Sequence, residues 1–190
     1  MSDSSERSQQ ITVGVDIGTT SVKAVAADAD GTVLARARVP HPVRTPVAGA
    51  FEHDIDHAWR SNVLEALGRV AVGLDVAAVN VSAMVPSLGA VTVGGTAAGP
   101  GLLYGDLRGE REGHDVTQAG DSGELLAFLA WEAANSPDAA GFWPAQAVAN
   151  HALCGRGAID STTAMTAYPL FDFVGWDADL AAASGTTPDK

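Results

Sequence analysis

The chain has 190 residues, 46% of them hydrophobic and 18% charged, which is the composition of a soluble globular domain with room for a sizeable core. A formal net charge of −12 leaves no basic footprint for nucleic acid or an anionic membrane surface, so an anionic ligand has to be met locally by backbone N–H groups, a metal ion or a few cations. Cys154 is the only cysteine, which excludes an internal disulfide and a cysteine metal cluster; with no apolar run long enough to cross a bilayer and no signal-peptide h-region at the start, a reducing cytoplasm is the expected location.

In chain order, residues 1–10 are polar and read as a disordered tail. Ile11, Val13, Val15 and Ile17 alternate with other residues and predict a strand. The alternation resumes at Val22, Ala24 and Ala26 after a turn at Gly18–Ser21, and again at Val33, Ala35, Ala37 and Val39 after Asp28-Ala29-Asp30-Gly31. Three strands therefore open the chain as an antiparallel meander, broken by Pro40, Pro42 and Pro46. Asp54 can cap a helix whose stripe runs Ile55, Ala58, Trp59, Val63, Leu67, Val70 and Leu74. Val76–Val81 is mostly apolar, as expected of a strand buried on both faces, and Leu88–Val93 is a fifth strand. Gly94, Gly95, Gly99, Pro100 and Gly101 predict a loop. Asp121 or Ser122 would cap a helix carrying Leu125, Leu126, Phe128 and Leu129 that ends near Asn135 and Pro137. Pro144 and Gly155 bracket another helix, and a short one follows residue 175. The order is β-β-β-α-β-β-α-α, a mixed α/β domain.

The chemistry concentrates in Asp16-Ile17-Gly18-Thr19-Thr20-Ser21-Val22-Lys23. A tight turn after a strand exposes consecutive N–H groups; Gly18 allows close approach, and Thr19, Thr20 and Ser21 add hydroxyl donors. Asp16 would face the same anion and could hold a hydrated magnesium ion bridging phosphates. An ordinary hairpin is the plainer alternative, but the full run of Asp, Gly, Thr, Thr, Ser and Lys favours phosphate. His53 and His57, four apart at a helix start, have the spacing to share a metal; exposed histidines at an acidic N-terminus are the simpler reading. Cys154, Trp131, Trp143 and Trp176 read as packing residues.

The run Val13–Lys23 (VGVDIGTTSVK) resembles the first phosphate motif of the sugar kinase, Hsp70 and actin superfamily, and more narrowly the FGGY carbohydrate kinases. Later segments resemble that family in order. They are Phe51-Glu52-His53-Asp54 followed by Trp59, Val79–Pro86, Tyr104-Gly105-Asp106-Leu107-Arg108, and Asp160–Ala164. The resemblance implies a ribonuclease H-like (actin-like ATPase) lobe over residues 11–190 that moves the ATP γ-phosphate to a hydroxyl of a sugar or polyol, such as a pentulose. Asp16 would act through magnesium, while Gly18, Thr19, Thr20, Ser21 and Lys23 meet the ATP phosphates. Met84, Val85 and Pro86 would line the sugar, Asp106 would accept from sugar hydroxyls, and Arg108 would orient it or donate to the sugar. The family's catalytic base aspartate and second lobe would lie beyond residue 190. The expectation is therefore a truncated lobe, inactive alone or binding sugar or a partner without turnover, and prone to self-associate through the face a second lobe would cover. Met84-Val85-Pro86 and the Gly94–Gly99 run depart from the usual family patterns, leaving the sugar open.

Overall fold

In the computed structural model, residues 10–108 and 123–190 are described. Residues 1–9 of the expected tail, and the capping positions Asp121 and Ser122, lie outside them. The meander forms as β1 (Ile11–Ile17), β2 (Ser21–Ala27) and β3 (Val33–Pro40). β1 and β2 pair antiparallel with Asp16 opposite Lys23, and β2 pairs antiparallel with β3. The Asp-Gly turn closes because the Asp28 carboxylate accepts from the Asp30 and Thr32 amides at 3.0 and 2.8 Å, while Gly31 takes φ +82°. The alternation buries Val13, Val15 and Ile17 on one face of the sheet, with Val22, Ala24 and Ala26.

After a short strand, β4 (Glu52–His53), the Asp54 carboxylate accepts from the His57 amide at 3.0 Å. The first turns, Asp56–Ser61, are π-helical, and α1 (Asn62–Val70) continues them. The stripe Ile55, Ala58, Trp59, Val63 and Val70 is buried as its spacing predicts, and the helix ends four residues before Leu74. β5 (Val76–Ala83) lies parallel to β1, and the sheet runs β3-β2-β1-β5. β5 was expected to be buried on both faces, but only Val81 is fully buried and Val79 is 38% exposed. Among the described residues β5 is the edge of the sheet.

A second sheet was not expected. β6 (Ser87–Val91), β7 (Ala97–Leu103) and β8 (Gly141–Trp143) join β4 in the order β4-β7-β6-β8, and every pair is antiparallel. β7 corrects the expected glycine loop. Its glycines leave room for neighbouring side chains: a Cβ at Gly101 would lie 2.5 Å from the Trp59 ring, and one at Gly99 would lie 2.8 Å from Glu132 Oε2. α2 (Gly123–Asn135) packs Leu125, Phe128 and Leu129 against Leu88 and Leu102 of this sheet. α3 (Ala145–Cys154) follows Pro144 and ends at Gly155 with φ +74°. α4 (Ser161–Met165) and α5 (Ala178–Ala183) are capped by the carboxylates of Asp160 and Asp177. The result is a mixed α/β fold, with one core between the first sheet, α1 and α3, and another under α2. Among the described residues no helix is long and apolar enough to cross a membrane.

Candidate functional site

The carboxyl ends of the parallel neighbours β1 and β5 lie side by side, where an α/β sheet offers a ligand its crevice. Asp16 stands at the end of β1 with its side chain 48% exposed, and Lys23 of β2 pairs with it at 3.4 Å. Ser82 of β5 donates its hydroxyl to Asp16 Oδ1 at 3.3 Å. Sequence reasoning missed Ser82, because only strand pairing sets residue 82 beside residue 16.

Beyond Asp16 the chain turns through Gly18–Thr20, closed by the Gly18 amide donating to the Ser21 carbonyl at 3.1 Å. Thr20 is exposed. Ser21 is buried, and its Oγ accepts from Arg38 Nε at 3.0 Å, so its hydroxyl is engaged behind the turn. Thr19 Oγ1 lies 2.8 Å from the Tyr104 hydroxyl. Two buried histidines sit behind these residues. His41 Nε2 is 3.0 Å from the Gly18 carbonyl, and His53 Nε2 is 2.9 Å from the Thr19 carbonyl. The rings meet edge-on with centroids 4.5 Å apart. Trp59 donates its indole N–H to His53 Nδ1 at 3.0 Å. Burial lowers the pKa of both imidazoles, that of His53 to about 4, so both are neutral at pH 7.

His53 therefore shares no metal with His57: His53 is fully buried against the turn, and His57 is exposed. No group of three or more His, Cys, Asp or Glu able to hold a metal occurs among the described residues. A magnesium ion that keeps most of its waters and borrows one carboxylate does fit Asp16, which is half-exposed and has its oxygens turned to Ser82 and Lys23.

The Met84–Pro86 loop adjoins the same turn, since the Met84 amide donates to the Ile17 carbonyl at 3.0 Å. Met84 packs against the first core, whereas Val85 is 37% exposed. The Tyr104–Arg108 segment divides. Tyr104 is exposed and reaches Thr19. Asp106 is buried, and its carboxylate accepts from the Phe51 amide at 2.7 Å, the Arg108 amide at 2.8 Å, and the Arg108 guanidinium at 2.7–3.1 Å. Arg108 also donates to Glu52 Oε2 at 2.7 Å and lies 4.7 Å from the centre of the Trp131 ring. The expectation that Asp106 accepts from sugar hydroxyls thus meets a carboxylate already filled from inside the protein. Arg108 holds that carboxylate with its guanidinium.

The Phe51–Asp54 stretch is wholly committed: Glu52 to Arg108, His53 to the turn, Asp54 to the helix start. Glu132 of α2 is fully buried beside this clamp, with Oε1 unpartnered among the described residues, and burial raises its pKa to about 8. A cavity of about 250 Å³ lies elsewhere, between the second sheet and the C-terminal helices, lined by Leu88, Leu129, Trp143 and Leu170.

Residues 11–91 match the family described as "FGGY family of carbohydrate kinases, N-terminal domain". No curated protein matches the sequence. Solved structures share the fold. A xylulose kinase from Rhodospirillum rubrum superposes with a TM-score of 0.80 at 22% identity, over 95% of this chain and 42% of that one. A gluconate kinase from Lactobacillus acidophilus gives 0.79 at 19% identity, over 95% and 40%. A Plasmodium falciparum glycerol kinase with ADP gives 0.77 at 12% identity, over 94% and 42%. The chain spans about two fifths of the length of these structures.

Proposed function

From residues 11–91 as an N-terminal domain of the FGGY family of carbohydrate kinases, we propose that this chain supplies the phosphate-binding half of a site that moves the ATP γ-phosphate to a hydroxyl of a sugar or polyol, such as a pentulose. The observation that carries the reading is the pairing of Asp16 with an open Gly18–Thr20 turn at the carboxyl ends of β1 and β5.

In this reading the amides of the turn and the exposed Thr20 meet the ATP phosphates, and Lys23 adds a cation on the same edge. Asp16, oriented by Ser82, would hold magnesium, which when bound neutralises charge on the phosphates. The Met84–Pro86 loop and Tyr104 face the acceptor sugar, and the Asp106–Arg108–Glu52 clamp sets the base of that face without touching the sugar. In this reading none of these residues is the base that takes the sugar proton. Positioning both substrates and the base together is what phosphoryl transfer requires, so the isolated chain binds without turnover.

The test is to give the 190-residue chain ATP, magnesium and a panel of ketoses and polyols. Magnesium-dependent ATP binding that weakens about tenfold or more in Asp16→Ala, without turnover, supports the reading. Turnover by the chain alone would overturn its half-site status, and wild-type ATP binding that is unchanged in Asp16→Ala would sink the role of Asp16. A second reading is a lobe that binds sugar or a partner without any kinase role. Sugar binding with no ATP binding would select it.

A further inference from the structure

We infer that His41 and His53 are positioning residues that hold the Gly18–Thr20 turn with the amides of Thr19 and Thr20 facing outward, toward the anion; this rests on the phosphate reading of that turn. In a trans peptide the C=O of one residue and the N–H of the next point in opposite directions. The Gly18 carbonyl is held inward by His41 Nε2 at 3.0 Å, so the Thr19 N–H is turned away from His41. The Thr19 carbonyl is held inward by His53 Nε2 at 2.9 Å, so the Thr20 N–H is turned away from His53. The Thr20 carbonyl is tied in as well, accepting from the His41 amide at 3.0 Å. Neither the Thr19 nor the Thr20 amide has an acceptor among the described residues. Two adjacent unspent donors are thus fixed on one side of the turn, the arrangement that receives an oxyanion.

The chemistry of the two rings fits the role. A carbonyl only accepts, so each imidazole must carry its proton on Nε2. The Trp59 indole only donates, which requires a bare Nδ1 on His53 and fixes the same tautomer from the other side. The Asn62 side-chain nitrogen stands 3.5 Å from His41 Nδ1 and sets that ring the same way. The rings are 5% and 0% exposed, so water cannot replace either donor. An apolar side chain at position 53 would fill the space but strand the Thr19 carbonyl, and the peptide would be free to rotate and withdraw the Thr20 amide. A glutamine would put an amide N–H close to the position of the imidazole Nε2 and keep the peptide as it is.

Amide spectra of the full chain titrated with magnesium-ATP test this. In wild type the Thr19 and Thr20 amide signals are expected to shift. His53→Gln is expected to bind within about threefold of wild type, and His53→Leu about tenfold or more weakly, with core signals unchanged. Wild-type affinity in His53→Leu would overturn the positioning role and leave the phosphate reading standing. A wild type in which neither amide shifts at saturation would overturn both. If His53→Leu does not fold, the His41→Gln and His41→Leu pair gives the same contrast at Gly18. Imidazole nitrogen spectra of wild type give an independent reading: the proton belongs on Nε2 of both rings at pH 7, and a proton on Nδ1 of either overturns the inference.

Discussion

At the Gly18–Thr20 turn the carbonyls are tied inward and two amides are left without acceptors among the described residues; at the Asp106–Arg108 clamp the Asp106 carboxylate oxygens are filled by the protein itself. Asp16 is half-exposed and weakly paired, whereas the Asp106 side chain has no exposed surface. A ligand at the turn competes mainly with water. A ligand at Asp106 would have to displace charge-assisted bonds worth roughly 1.5–3 kcal/mol each. Aspartates in ligand-like sequence contexts can thus hold opposite offices: one keeps its capacity for a visitor, and the other spends it on the scaffold.

Arg108→Ala breaks the comparison hardest. It leaves Asp106 with backbone donors alone and Glu52 with only the 3.6 Å pair to Arg44 in a buried setting, and a loss of about 3–5 kcal/mol is expected in urea unfolding. A loss below 1 kcal/mol would mean that the clamp is open to solvent after all. Acid titration should come next. His53 has a folded pKa of about 4 against an ordinary 6.5, so the unfolded chain binds the extra proton between these values. Stability is full above pH 6.5 and falls as pH drops toward 4, by about 3 kcal/mol from this group. In His53→Gln that acid limb should flatten. Glu132 titrates with the opposite sign. Its folded pKa of about 8 lies above the ordinary 4.5, so its contribution is full below pH 4.5 and is lost as pH rises toward 8. Glu132→Gln should therefore stabilise the protein at pH 8 by about 4 kcal/mol and leave it nearly unchanged at pH 4.5. The smallest expected change sharpens the contrast best: Asp16→Ala should alter stability by less than about 1 kcal/mol while weakening magnesium-ATP binding. A large stability loss there would make Asp16 a second scaffold carboxylate.

The parts of the fold governed by short-range rules could be read directly. Ile11–Ile17 and Val22–Ala26 alternate because one face of the sheet is buried, Asp28-Gly31 closes its turn with local bonds, and Pro144 and Gly155 bracket α3. What escaped depends on partners far along the chain. Gly99, Pro100 and Gly101 look like a loop, and their strand exists because Trp59 and Glu132 press against it from other elements. β5 looks like a strand covered on both faces, yet its exposure depends on which strand lies beside it. At the site, Asp16 and the Gly18 turn were legible because their donors and acceptors are sequential. Ser82, Tyr104, His41 and the true place of His53 were not, since each reaches the turn from 20 or more residues away in the chain. The spacing of His53 and His57 reads more simply as two exposed histidines than as a shared metal, but the ring at 53 faces inward and only the one at 57 faces water.

Gly89 and Gly101 stand opposite each other in the pairing of β6 with β7, and together they form a socket for Ile55 and Trp59. Trp59 is also the residue that holds His53, and His53 holds Thr19. The depth of that socket therefore calibrates the turn through a short mechanical linkage: glycine, indole, imidazole, carbonyl. A methyl group added at Gly101 lies on the far sheet, with no contact to any ligand, yet it would lift the indole and detune the two amides at the other end of the train.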